Sequence, residues 1–339
     1  MAVRLAYNDY IQARHASQRC APGGLFFMDK KKKFGKKSLL INDQIDLLTK
    51  RKLRINNLDQ ARFCLETVGY YRLSAYFKPF LVENDNDDHL FKPDSTFEQI
   101  WQIYVFDREL RLHLSDALER IEIALRAALT NVLSEKYGNL WYLSKEPFQE
   151  SWIKSKPDKT KKKKISSHQY FVNEIKKICK DKKEDFLKHY YTKYHHPDYP
   201  PSWMMMECLS FGKCTSLFNN LKELKDKKMI SKVFGFHASV MISVLEPLRY
   251  TRNICAHHSR LWNRWFVYSP KHFEALSNLK CSQNTFHMQA YVIDKLNEAI
   301  SPGSKWKERL FHLFEKYSKY VPFEHMGFQS DWKNDLFWK

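Results

Sequence analysis

Between Thr96 and Val132, apolar residues recur at Leu110, Leu114, Leu118, Ile121, Leu125, Leu129 and Val132, three or four positions apart. At 3.6 residues per turn, this spacing lays one continuous stripe along one side of a helix. A stripe that long is stable in water only when other elements cover it. Ser95-Thr96 supplies the N-cap and Glu98 an acid in the first turn, so the helix starts there. Shorter helical patterns occupy 41–53, 58–68, 70–80, 170–194, 203–221 (interrupted near Gly212), 240–258, 284–300 and 304–320. Only 9 Gly and 12 Pro in 339 residues leave few breaks, and 43% hydrophobic content supports a core of some size. The expected fold class is all-α, a helical bundle with an additional N-terminal helical region and a basic loop.

The charge balance narrows the partners. Lys and Arg number 57 against 38 Asp and Glu, a net charge of +19, which predicts an anionic partner. No apolar run approaches 18 residues and no N-terminal segment reads as a secretory leader, so a cytoplasmic chain with no membrane contact is expected. The seven cysteines form no C-x-x-C pair, which fits reduced thiols.

Five segments are expected. Residues 1–37 form a basic extension without periodic pattern; 1–27 resemble no later part of the chain, and Met28 reads as a natural start. Residues 38–150 make an N-terminal helical half and 151–167 a Lys-rich loop. Residues 168–320 make a C-terminal helical half, and 321–339 an aromatic tail expected to dock loosely. Lys30, Lys31, Lys32 and Lys33, and Lys161, Lys162, Lys163 and Lys164, read either as solubilising charge or as phosphate contacts. Asp107–Arg111 and Glu122–Arg126 are i,i+4 pairs, expected at the surface or between helices. Met204 to Met206 read as core filler, and Glu207 is expected to pair with Arg249.

Chemistry concentrates at Arg252-Asn253-Ile254-Cys255-Ala256-His257-His258, the end of the 240–258 pattern. Arg can neutralise a phosphate and the charge that grows on it in a transition state. His can take a proton from a ribose 2′-OH or give one to the leaving 5′-oxygen. At about 100° per residue, Arg252 and His257 point about 140° apart, whereas Asn253 and His257 share a face. Either the Arg252 guanidinium curls round, or a second copy completes the site across a two-fold axis. The same spacing also describes a plain helix C-terminus, with His257 and His258 capping carbonyls and Arg252 solvated. Pro247 is expected to kink the helix or to mark a break just ahead of the motif. Beyond it, Arg260, Trp262 and Arg264 are read as stacking on bases or clamping an RNA backbone, although Leu261 and Trp262 are expected rather to pack the helix end. H-E-x-x-H, Walker and G-x-S-x-G motifs are missing, and neighbouring His residues diverge on a helix. A metal nuclease therefore ranks below a metal-independent one, and neither metal nor cofactor is expected.

Four blocks in order add a resemblance: 68–80 (VGYYRLSAYFKPF), 106–111 (FDRELR) with 119–126 (ERIEIALR), 201–212 (PSWMMMECLSFG) and 248–263 (LRYTRNICAHHSRLWN). Across roughly residues 38–320 the chain resembles the Abi-like abortive-infection family, a branch of the HEPN superfamily. That resemblance implies HEPN helices, a homodimer, and an R-x4–6-H motif that in the nuclease members cuts RNA at the dimer seam without metal. On this chain Arg252 and His257 match the motif, and Asn253 matches the polar residue after its Arg. His258 and Arg249 are auxiliary candidates. The implied function is an anti-phage endoribonuclease, with a bound structured RNA also compatible. The alternatives are a non-catalytic RNA-binding protein and an antitoxin-like module.

Overall fold

A computed structural model of the chain describes residues 35, 37–83, 89–154, 165–270 and 282–339. Lys30–Lys33 and Lys161–Lys164 lie outside these residues, as does most of the expected extension. The chain divides into residues 1–40 and residues 41–339. The described part of the second unit holds 13 α-helices, and no β-strand occurs among the described residues. The all-α expectation holds.

Three short helices come first: α1 (Ile41–Lys50), α2 (Leu58–Thr67) and α3 (Tyr70–Ser74). The expected helix over 70–80 is α-helical only in its first turn and closes with a 3-10 turn at Lys78–Phe80. Next comes α4 (Phe97–Tyr137), 41 residues long and therefore about 60 Å. Thr96 caps it, its hydroxyl accepting the Gln99 N–H at 3.1 Å. Glu98 faces outward from this first turn and accepts the backbone N–H groups of Asn56 (2.9 Å) and Asn57 (3.0 Å), fixing the entry to α2. Leu110, Leu114, Leu118, Ile121, Leu125 and Leu129 are all buried. In the last turns Leu133, not Val132, takes the buried place.

The remaining helices are α5 (Glu150–Ile153), α6 (Ser167–Asp181), α7 (Asp185–Lys193), α8 (Ser202–Met205), α9 (Phe211–Asn219), α10 (Leu224–Lys232), α11 (Ala238–Ala256), α12 (Phe286–Ile300) and α13 (Trp306–Tyr317). From α8 onward each of them packs against α4, which is thus the axis of the bundle. Each fully buried Leu or Ile of its stripe contributes about 1.5–3 kcal/mol.

Three expectations change. The single helix over 170–194 is two, α6 and α7, because Lys182 turns left-handed at φ 45° and ends the first. The break expected near Gly212 falls earlier, at Leu209-Ser210, where Leu209 is extended and its carbonyl leaves the helical ladder. The aromatic tail docks tightly: Phe323, Phe328 and Phe337 are buried, and Phe323 stacks on Phe314 at 4.2 Å. Of Met204 to Met206, Met205 and Met206 are core residues as expected, and Met204 is half-buried. Pro247 lies buried inside α11, and the helix runs on past it. No helix among the described residues is long and apolar enough to cross a membrane.

Candidate functional site

The motif closes α11 with a left-handed cap. His258 sits at φ 53°. Its N–H donates to the Cys255 carbonyl at 3.1 Å, and the Ser259 N–H donates to the Ile254 carbonyl at 2.9 Å. This bond pair satisfies the last carbonyls of a helix and usually has Gly at the left-handed position. The backbone of His258, not either imidazole, therefore does the capping, and both His257 and His258 present their rings to solvent.

Beyond the cap, the chain is held from below by α4. Asp107, fully buried, accepts the backbone N–H of Leu261 (3.0 Å) and of Trp262 (2.6 Å) and the Tyr76 hydroxyl at 2.6 Å. It also pairs with Arg111, one turn along α4. Burial works against the Arg111 charge, but the Asp107 carboxylate together with Tyr76 and Tyr104 outweighs it and holds the guanidinium pKa above its ordinary value. A buried carboxylate persists only with such a set of donors. Arg72, just before the end of α3, reaches across to the His258 carbonyl at 2.7 Å. Leu261 and Trp262 are fully buried, with Trp262 stacked on Tyr76, so they pack the helix end as expected.

Four turns further along α4, Glu122 holds the motif arginine. Its Oε2 accepts the Arg252 Nε–H at 3.2 Å, and its Oε1 accepts Arg126 Nη2 at 2.6 Å. Arg126 also donates to the Leu209 carbonyl at 2.9 Å, the one freed by the break before α9. The Glu122 side chain is 9% exposed and that of Arg252 38%. Among the described residues, the two terminal nitrogens of Arg252 make no hydrogen bond. The guanidinium is thus fixed through Nε, leaving its fork of donors toward solvent. The forked guanidinium donors of Arg252 are suited to a phosphate.

The other expected residues divide. Asn253 is half-buried on the same face of α11 as His257. Arg249 pairs with Glu246 (Nε to Oε2, 2.9 Å), not with Glu207. Its stem crosses Gly212, where a Cβ would lie 3.3 Å from Arg249 Cδ. Glu207 is instead exposed and 3.8 Å from Arg126, because the 3-10 turn Met206–Cys208 carries it outward. Arg264 donates through Nε to the Arg260 carbonyl at 2.6 Å and through Nη1 to the Tyr250 hydroxyl at 3.0 Å, so it braces the turn after the motif. Burial pushes the Cys255 thiol up to about 12 and the Cys214 thiol up to about 12, so neither is a nucleophile at neutral pH. Among the described residues, no group of three or more His, Cys, Asp or Glu side chains is placed to hold a metal ion.

Sequence reasoning missed Glu122 and Asp107 as organisers of the site. A signal existed, since each acid falls in phase with the apolar stripe, three positions before Leu110 and three before Leu125. The four blocks of the sequence resemblance, distant in the chain, meet here. Tyr76 and Arg72 come from the first, Asp107 and Glu122 from the second, Leu209 and Gly212 from the third, and Arg252 to Trp262 from the last. A family model described as Abi-like protein matches residues 63–263, more than half of the chain and all four blocks. No curated protein and no solved structure matches the chain.

Proposed function

The chain belongs to the Abi-like protein family, and from that premise we propose that it is a metal-independent endoribonuclease of the HEPN type, acting in abortive infection against phage in the cytoplasm. The observation that carries this reading is that all four blocks touch the stretch from Arg249 to Trp262, which holds the motif. There Glu122 pins Arg252 and a left-handed cap leaves His257 in solvent. Arg252 meets a phosphate oxygen with its terminal nitrogens and stabilises the charge of the pentacoordinate phosphorane. His257 accepts the 2′-OH proton as the 2′-oxygen attacks phosphorus. The bond to the 5′-oxygen breaks, and that oxygen leaves with a proton from His257 of the second protomer. Asn253 orients the imidazole or a phosphate oxygen, and the products carry 2′,3′-cyclic phosphate and 5′-OH ends. A homodimer is part of this reading, because Arg252 and His257 of one helix point about 140° apart.

That divergence also favours a second reading, in which the chain grips a structured RNA without cutting it. A DNA strand holding a single ribonucleotide separates the two. We expect a cut at that position only, with a cyclic phosphate on the 5′ fragment, and an all-DNA strand left intact. Cleavage of the all-DNA strand overturns 2′-OH attack, and RNA retention without any cut supports the gripping reading.

A further inference from the structure

The surface of α11 upstream of the motif carries an aromatic and cationic cluster that the proposed chemistry does not use. Tyr250 lies seven residues before His257, hence within about 20° of the same direction and about 10 Å away along the helix axis. The Tyr268 ring meets Tyr250 edge-on, centroids 5.4 Å apart at 68°. Arg264, held by its bonds to the Arg260 carbonyl and the Tyr250 hydroxyl, sets its guanidinium 6.0 Å from the Tyr250 ring centroid. Between them the chain alternates. Trp262 and Phe266 point into the core, while Trp265 and Tyr268 remain 51% and 41% exposed. Trp262 and Phe266 thus pack the core, while Tyr250 is half-buried beside Arg264 and Tyr268 lies exposed against it.

We propose that Tyr250, Tyr268 and Arg264 form a base-stacking subsite for single-stranded RNA. It receives an unpaired base of a nucleotide flanking the scissile phosphate. Exposed rings next to guanidiniums are how proteins hold unstacked bases, while the cations meet the backbone. The chain's net charge of +19 complements that ligand. A duplex offers no free base, so the subsite selects single strands. The inference rests on the reading of this chain as a protein that acts on RNA.

The test uses the full chain and a labelled, single-stranded 2′-O-methyl oligonucleotide, which cannot be cut, beside one of equal length with abasic positions. Fluorescence anisotropy at one salt concentration reads affinity. The wild type binds the base-bearing strand about five-fold or more tightly than the abasic one. Tyr268→Ala abolishes that preference, and Tyr268→Phe keeps it. Equal affinity of the wild type for both strands overturns the subsite without any variant, as does a preference that survives Tyr268→Ala. Binding of neither strand overturns both the subsite and the RNA reading. Base-dependent binding by a chain that leaves all-ribose strands intact keeps the subsite and removes only the nuclease.

Discussion

Asp107 with Arg111 and Glu122 with Arg126 look alike: two acid-to-arginine pairs four residues apart on one helix, each in phase with its apolar stripe. Their surroundings give them different work. Asp107 is sealed, and its donors are two backbone N–H groups, a tyrosine and an arginine, none of which reaches solvent well enough to meet a ligand. It locks the chain that leaves the motif. Glu122 lies nearer the surface, and one of its two partners, Arg252, remains partly in water with donors to spare. The first acid therefore fixes the fold and the second aims a side chain. A buried charge pair is by itself weak evidence for stability. Here the number and kind of partners tell an anchor from a positioning group.

The largest effect is expected from Asp107→Ala. It leaves Arg111 buried without its partner and two backbone N–H groups unsatisfied, a loss of about 3–5 kcal/mol. Urea unfolding checks this, and a loss under about 1 kcal/mol would erase the contrast between the two acids. Glu122→Gln should instead move activity more than stability. RNA cleavage falls about 10- to 100-fold through kcat, with little change in KM, because Arg252 loses its aim. A Glu122→Gln chain that unfolds as readily as Asp107→Ala would make both acids anchors.

A third prediction separates pH effects from either acid. His113, between them on α4, stacks on Trp306 at 4.9 Å, and its Nε2 lies 3.0 Å from the Trp306 carbonyl oxygen. Burial, with the nearby Arg309 charge, lowers its pKa from 6.5 to about 4. Between those values the unfolded chain binds more protons than the folded one, so stability falls as pH drops from about 6.5 toward 4. The slope is worth about 2 kcal/mol across that window. His113→Gln should flatten it, seen in melting temperatures taken across the range, while Asp107 and Glu122 keep their separate effects. The smallest effect belongs to the cap. His258→Gly relieves a left-handed non-glycine residue and should stabilise by about 0.5–1 kcal/mol with cleavage kept. A ten-fold loss of cleavage would instead make His258 a proton carrier.

Much of this was legible in the chain. The 3.6-residue stripe fixed α4 and the all-α class, and Thr96 marked its start because a side-chain cap is a local device. The end of α6 and the start of α9 were not legible. Lys182 takes a left-handed turn that no Gly announces, and the Leu209 break is held by Arg126, 83 residues away in sequence. The motif itself could be read, but its setting could not. That Glu122 holds Arg252 spans 130 residues, and local spacing carries no trace of such a contact. The Glu207 to Arg249 pairing failed for the same reason, since a 3-10 turn rotated Glu207 outward.

Cleavage of RNA by Arg252 and His257 without a metal ion is the proposal on which the rest depends. Purified wild type, Arg252→Ala and His257→Ala should be incubated with labelled single-stranded RNA in EDTA. We expect cleavage by the wild type alone, leaving 2′,3′-cyclic phosphate ends, with both variants folded and silent. Cleavage that vanishes in EDTA, or that survives in His257→Ala, would contradict it.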